Sequence, residues 1–126
     1  MIVLGNDRGQ TTLELALCLP LLALVFGGLV EASMLGVDQL RLWHSAREAA
    51  RVSAVDPDPQ AAREAAGRSG LTDVQVTVRL DPAERSPGRP LTVELSYDYD
   101  SNVPVVGTLF DRVVLGAEAT MRIERV

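Results

Sequence analysis

Asp7-Arg8-Gly9-Gln10-Thr11-Thr12-Leu13-Glu14-Leu15 leads directly into the uncharged run Leu15-Ala16-Leu17-Cys18-Leu19-Pro20-Leu21-Leu22-Ala23-Leu24-Val25-Phe26-Gly27-Gly28-Leu29-Val30. Counted from Gln10, the segment reaches the ~20 residues that a helix needs to cross a bilayer. One carboxylate, Glu14, lies just inside its start. An ionisable group at mid-membrane costs on the order of 2.5–3.5 kcal/mol on insertion scales, and less near the edge, so such residues are usually functional. The plain alternative for Glu14 is an interfacial carboxylate that snorkels to the headgroups.

The helical pattern continues past the apolar run. Leu35, Leu42, Ala46 and Ala49, flanked by Leu40, Trp43 and Ala50, recur at spacings of three, four and seven. Unbroken from Gln10 to Val55, this helix would be roughly 70 Å long. Pro20, Gly27, Gly28 and Gly36 are its candidate kinks. Asp56-Pro57-Asp58-Pro59 ends it, because a residue before proline avoids the helical region. Asp58 is then a suitable N-cap, with Pro59 at the first position of an Ala-rich helix over Gln60–Ser69 and Gly70 as its C-terminal stop.

Three runs alternate with period two: Val74, Val76, Val78, Leu80; Leu91, Val93, Leu95, Tyr97, Tyr99; and Ala117, Ala119, Met121, Ile123. One apolar face per strand predicts a half-buried antiparallel sheet, with Asp81–Pro90 as a long loop between the first two strands. The second half of the long helix would cover that face, with Trp43 buried between helix and sheet. Residues 103–116 are compatible with either a short helix or a loop packed under the sheet. The expected fold is therefore α+β: a long N-terminal transmembrane helix that continues into a head with a short second helix and a three-stranded antiparallel sheet.

Composition narrows the function. The chain has 126 residues and a net charge of −5, which argues against nucleic acid as a partner because no basic face is available. One Cys and one His leave little material for a metal site, and an internal disulfide is impossible. His44 and Glu48, one turn apart, are two ligands at most, and Asp98, Asp100 and Asp111 lack the EF-hand spacing. There is neither a nucleophile–base set nor a phosphate-binding glycine loop. The expectation is a protein with no enzymatic activity and no cofactor.

Gly9 followed by Glu14, the apolar run "LELALCLPLLALVFGGLVEAS", the helix "HSAREAARVSAV" and the closing "LGAEATMRIERV" resemble the TadE-like family of tight-adherence (Flp-type) pilus assembly pseudopilins. The resemblance implies a leader over residues 1–9 that a prepilin peptidase removes after Gly9. It also implies a transmembrane segment over residues 10–31 and an extracytoplasmic pilin-like domain over residues 32–126. Gln10 would become the new N-terminus and Glu14 the fifth mature residue, with Arg8 as the basic flank of the leader. By the same resemblance, Glu14 would pair with the freed Gln10 amine and set the register between subunits. The partners would be the prepilin peptidase, other pseudopilins and the assembly platform in the membrane.

A count of nearby Arg residues does not by itself place the N-terminus inside, since Arg41 and Arg47 follow the span. The cytoplasmic N-terminus and the extracytoplasmic head rest on the resemblance. Two other readings of the residues stay open. One is an uncleaved single-pass anchor with a small extracytoplasmic binding domain. The other is a secreted protein cut after Ala32, where Val30-Glu31-Ala32 meets the small-residue rule of signal peptidase.

Overall fold

A computed structural model describes residues 7–80, 85–101, 103, 105, 107–109 and 113–124. Helix α1 runs unbroken from Asp7 to Val55, and its 49 residues make it ~73 Å long at 1.5 Å per residue. It starts three residues ahead of the expected Gln10 and contains Pro20 without interruption. Proline at position 20 removes the hydrogen bond to the Ala16 carbonyl, a loss that neighbouring groups can make good in a membrane helix.

The α1 helix stops at Val55, where Pro57 holds the chain out of helical geometry, and the Asp56 N–H still donates to the Val52 carbonyl at 2.8 Å. Helix α2, Pro59–Gly67, begins as the sequence predicts, with the Asp58 carboxylate accepting from the Gln60 N–H at 2.9 Å. It ends two residues before the expected Ser69, and Gly70, at φ +75°, turns the chain toward the sheet.

Strands β1 (Gln75–Arg79), β2 (Pro90–Asp98) and β3 (Val114–Arg122) form an antiparallel sheet in the order β1-β2-β3. The β3 strand starts at Val114 rather than near Ala117, because Val114 and Leu115 extend the ladder to Asp98 and Tyr97 of β2. Ahead of it, Gly107–Leu109 forms a 3-10 turn, which resolves part of the segment left open by the pattern.

The sheet turns Val93, Leu95, Leu115 and Ala117 onto α1, where Leu42, Ala46, Ala49 and Ala50 are buried against them, and Leu91 is buried nearer the start of α2. Helix α2 adds Ala62, Ala65 and Ala66. With alanine on both sides, α1 and α2 can approach toward the short end of the ~8–10 Å range of helix axes. The outer face of the sheet carries the Arg79–Glu94 ion pair at 2.7 Å and the Thr92–Thr120 hydroxyl contact at 2.8 Å. Gln39 of α1 donates to the Gly116 carbonyl at 2.8 Å, which occupies part of the exposed edge of β3.

Trp43 departs from expectation. Its side chain is half exposed and rests beside Glu94, Gly116, Ala117 and Glu118 at the β3 edge, not between helix and sheet. Leu42 takes the sheet-facing position, and one residue further along a helix is a rotation of ~100°.

Candidate functional site on the long helix

The expected processing residues share the first turns of α1. Gly9 and Gln10 are both exposed there, and Glu14, also exposed, lies one turn beyond Gln10 on the same face. The Gly9–Gln10 bond is therefore helical as folded. The first turn of a helix has N–H groups without intrahelical acceptors, so it is the turn that opens most easily. Arg8 belongs to the same turn, while its side chain and residues 1–6 of the leader lie outside the described residues. Neither ion pair found among the described residues involves Glu14.

From Leu13 to Val30 the large apolar side chains of α1 are exposed all round: Leu13 at 63%, Phe26 at 65% and Leu29 at 58%. Water would penalise such a surface at about 25 cal/mol per Å². Among the described residues, one helix, Gly9–Val55, is long and apolar enough to cross a membrane. Cys18 is exposed within it.

The first buried side chain along α1 is Glu31, which in the sequence reads only as part of a cleavage motif. Glu31 is fully enclosed, and both of its carboxylate oxygens lack a hydrogen-bond partner. Tyr99, itself only 7% exposed, faces it from the end of β2. Burial and the adjoining Glu31 carboxylate push the Tyr99 phenol up to about 12, although the contact falls short of hydrogen-bond geometry at the Glu31 oxygens. Burial, followed by Asp38, Asp100 and Asp73, also raises Tyr97.

A signal for Glu31 was present in the sequence. Extending the head-facing stripe Leu35, Leu42, Ala46, Ala49 back by one turn lands on residue 31. Beside this junction a groove of about 650 Å³ runs between α1 and the end of β2. Phe26, Val30, Met34, Val37 and Asp38 line it from the helix, and Tyr97, Tyr99 and the exposed Asp100 from the head. Arg41, paired with Asp38 at 3.3 Å, stands at its outer end.

The remaining polar candidates do not assemble. His44 is exposed and Glu48 half-buried, and no group of three metal-ligand side chains occurs among the described residues. Asp98 and Asp100 follow one another at the end of β2, whereas Asp111 lies outside the described residues.

Fold and site thus define an α+β head carried on one apolar helix that fits a single-pass membrane protein. Residues 9–51 match the model of the family described as TadE-like protein, so the resemblance read from the motifs is borne out over that stretch, while the closing "LGAEATMRIERV" lies outside the match. The match and the apolar helix together fit the membrane-anchored, pilus-related kind of protein that this family implies. No curated protein and no solved structure matches the chain.

Proposed function

We propose that this chain is a pseudopilin that a prepilin peptidase cuts after Gly9 and that takes part in assembling a tight-adherence (Flp-type) pilus. The observation that carries the reading is the TadE-like match, which begins at Gly9 itself and continues through the apolar helix. Its N-terminus is cytoplasmic and its head extracytoplasmic. Arg8 flanks the cut on the leader side. Glycine at position 9 lets the chain lie extended in a protease cleft once the first turn has opened.

The protein is a substrate and not an enzyme, and it works without a cofactor. Cleavage creates a positive amine on Gln10, one turn from Glu14. Glu14 then pairs with such an amine on a neighbouring subunit, since buried ion pairs are best attested as devices that fix register. The peptidase, other pseudopilins and the membrane platform of the pilus are its partners.

Sequencing the mature N-terminus tests this reading. Gln10 is the expected first residue, whereas Met1 would mean an uncleaved anchor and Ser33 a secreted domain. In Gly9→Leu the full-length chain should accumulate in the membrane. A mature mass that still lacks residues 1–9 in that variant would remove the peptidase from the account.

A further inference from the structure

We propose that the cavity between the start of α2 and strand β1 binds a carboxylate carried on an apolar group. The site lies on the head, so the proposal depends neither on membrane anchoring nor on cleavage at Gly9. The cavity holds about 510 Å³, within the ~300–1,000 Å³ of small-ligand sites. Val76, Val78, Leu80 and Leu91 give it an apolar wall, and Arg63 and Arg85 bring two guanidinium groups to it.

No carboxylate of the described residues lines the cavity. On a chain of net charge −5 this is a local excess of positive charge. Arg63 is exposed on α2 and belongs to neither ion pair found among the described residues. Asp56 and Asp58, just ahead of α2, are engaged elsewhere. They accept the N–H groups of Asp58 and Gln60, each at 2.9 Å.

Two orphaned donors add to the charge argument. Arg85 is fixed by one arm, its Nη2 donating to the Ser53 carbonyl at 2.7 Å. Its Nε–H is buried and has no acceptor. The Ser53 hydroxyl, on a residue only 4% exposed, has no partner either. Buried polar groups are normally satisfied, and exceptions call for an explanation. Both of these groups can donate, so what the two joined residues lack is an acceptor. A carboxylate offers two acceptor oxygens in the plane that a guanidinium fork matches, and Arg63 supplies a second positive charge. The aliphatic wall then selects an apolar group to carry that carboxylate.

The test uses the full chain in detergent micelles and follows the arginine Nε–H groups by NMR. N-acetylvaline is titrated beside its neutral amide, N-acetylvalinamide, and beside inorganic phosphate. N-acetylvaline should shift the Arg85 Nε–H resonance, assigned through Arg85→Lys, and the amide should not. Arg63→Gln should weaken this binding by about tenfold, the scale of one charged hydrogen bond, and leave the thermal transition of the ligand-free chain in place. Isovalerate separates two sources of such a group. Equal affinity points to a free short-chain acid and weaker binding to a peptide C-terminus, each in support of a carboxylate site. An amide that shifts Arg85 as the acid does would reduce the site to an apolar hollow and overturn the proposal. Phosphate binding as tightly as N-acetylvaline would overturn the role of the apolar wall, and an unmoved Arg85 would overturn the site itself. If Asp81→Asn or Glu84→Gln moved the Arg85 resonance while N-acetylvaline did not, the chain itself would supply the acceptor, and the ligand would be excluded.

Discussion

The two halves of α1 belong to one unbroken helix and meet opposite surroundings. Before Glu31 every large apolar side chain is exposed. After Glu31 the helix is two-sided. Leu42, Ala46, Ala49 and Ala50 are buried on the head, while Val37, Leu40 and Trp43 remain outside. Among the described residues the large apolar side chains of the first half are left uncovered, as suits a helix surrounded by lipid or neighbouring subunits. The second half is stabilised by its own sheet. The proposed function and the folding of the head are thereby separated along one helix, and substitutions in the two halves should fail in different ways.

The largest effect should come from Glu14→Gln. This change keeps shape and removes charge, so insertion and peptidase cleavage should proceed as in the parent. Crosslinking of the mature protein to its neighbours, and piliation, should be lost. Removing one member of an ion pair enclosed between apolar helices costs ~3–5 kcal/mol. At about 1.4 kcal/mol per decade, that is more than a hundredfold in association. Parental crosslinking and pilus counts in the variant would return Glu14 to the role of a passive interfacial carboxylate. Thermal unfolding of the head should not change in either case.

Leu42→Ala should do the reverse. Leu42 is fully buried against the sheet, and truncating such a leucine costs about 2–5 kcal/mol. The transition of the full chain in detergent, followed by near-UV circular dichroism, should move down sharply. The same truncation at Leu22, half exposed on the first half of α1, should leave it in place. Equal shifts for the two variants would mean that the halves of the helix are not energetically separate.

Most of this division could be read from the residues. Alternation in the three strands, the Asp58 cap and the proline pair after Val55 are local signals, and each appears in the structure where it was expected, within one to three residues. Two features were not legible. In the sequence Trp43 reads as core because large aromatics usually belong there. Whether residue 42 or residue 43 faces the sheet depends on how α1 is rotated, and both leucine and tryptophan satisfy an apolar pattern. Glu31 was missed because a carboxylate after an apolar run reads as the edge of a membrane span. Its enclosure depends on Tyr99, 68 positions away in sequence, which local patterning does not connect to it.

Tyr99 supplies a pH test confined to the junction between the halves. Its phenol ionises near 10.0 when unfolded and at about 12 when folded. A raised folded value means that the folded state retains a proton that the unfolded state has already lost. Stability is therefore unaffected below pH 10 and falls between pH 10 and 12. Two pKa units correspond to a loss of at most about 2.7 kcal/mol. Tyr97, also raised, adds to the fall in the same direction. Denaturant midpoints measured across this range should drop less steeply in Tyr99→Phe. An identical slope in that variant would show that its phenol does not carry the dependence.

The smallest predicted effect concerns the residue that sequence reasoning placed wrongly. Trp43→Ala would cost about 3–5 kcal/mol if the ring were enclosed. With the ring 50% exposed on the β3 edge, only about half of that contact is available to lose, and ~1.5–2.5 kcal/mol is expected. Trp43 is the sole tryptophan of the chain, so its fluorescence reports on this position alone. Acrylamide should quench it readily in the folded protein, and the emission should shift little on unfolding. Set beside Leu42→Ala, the variant tests how α1 is rotated against the sheet. A smaller loss at 43 than at 42 places Leu42 on the core side. If Trp43→Ala proved the more damaging, with a ring shielded from quencher, α1 would have to turn by about one residue. Gln39 would then leave the Gly116 carbonyl, and Glu31 would swing out from beneath Tyr99.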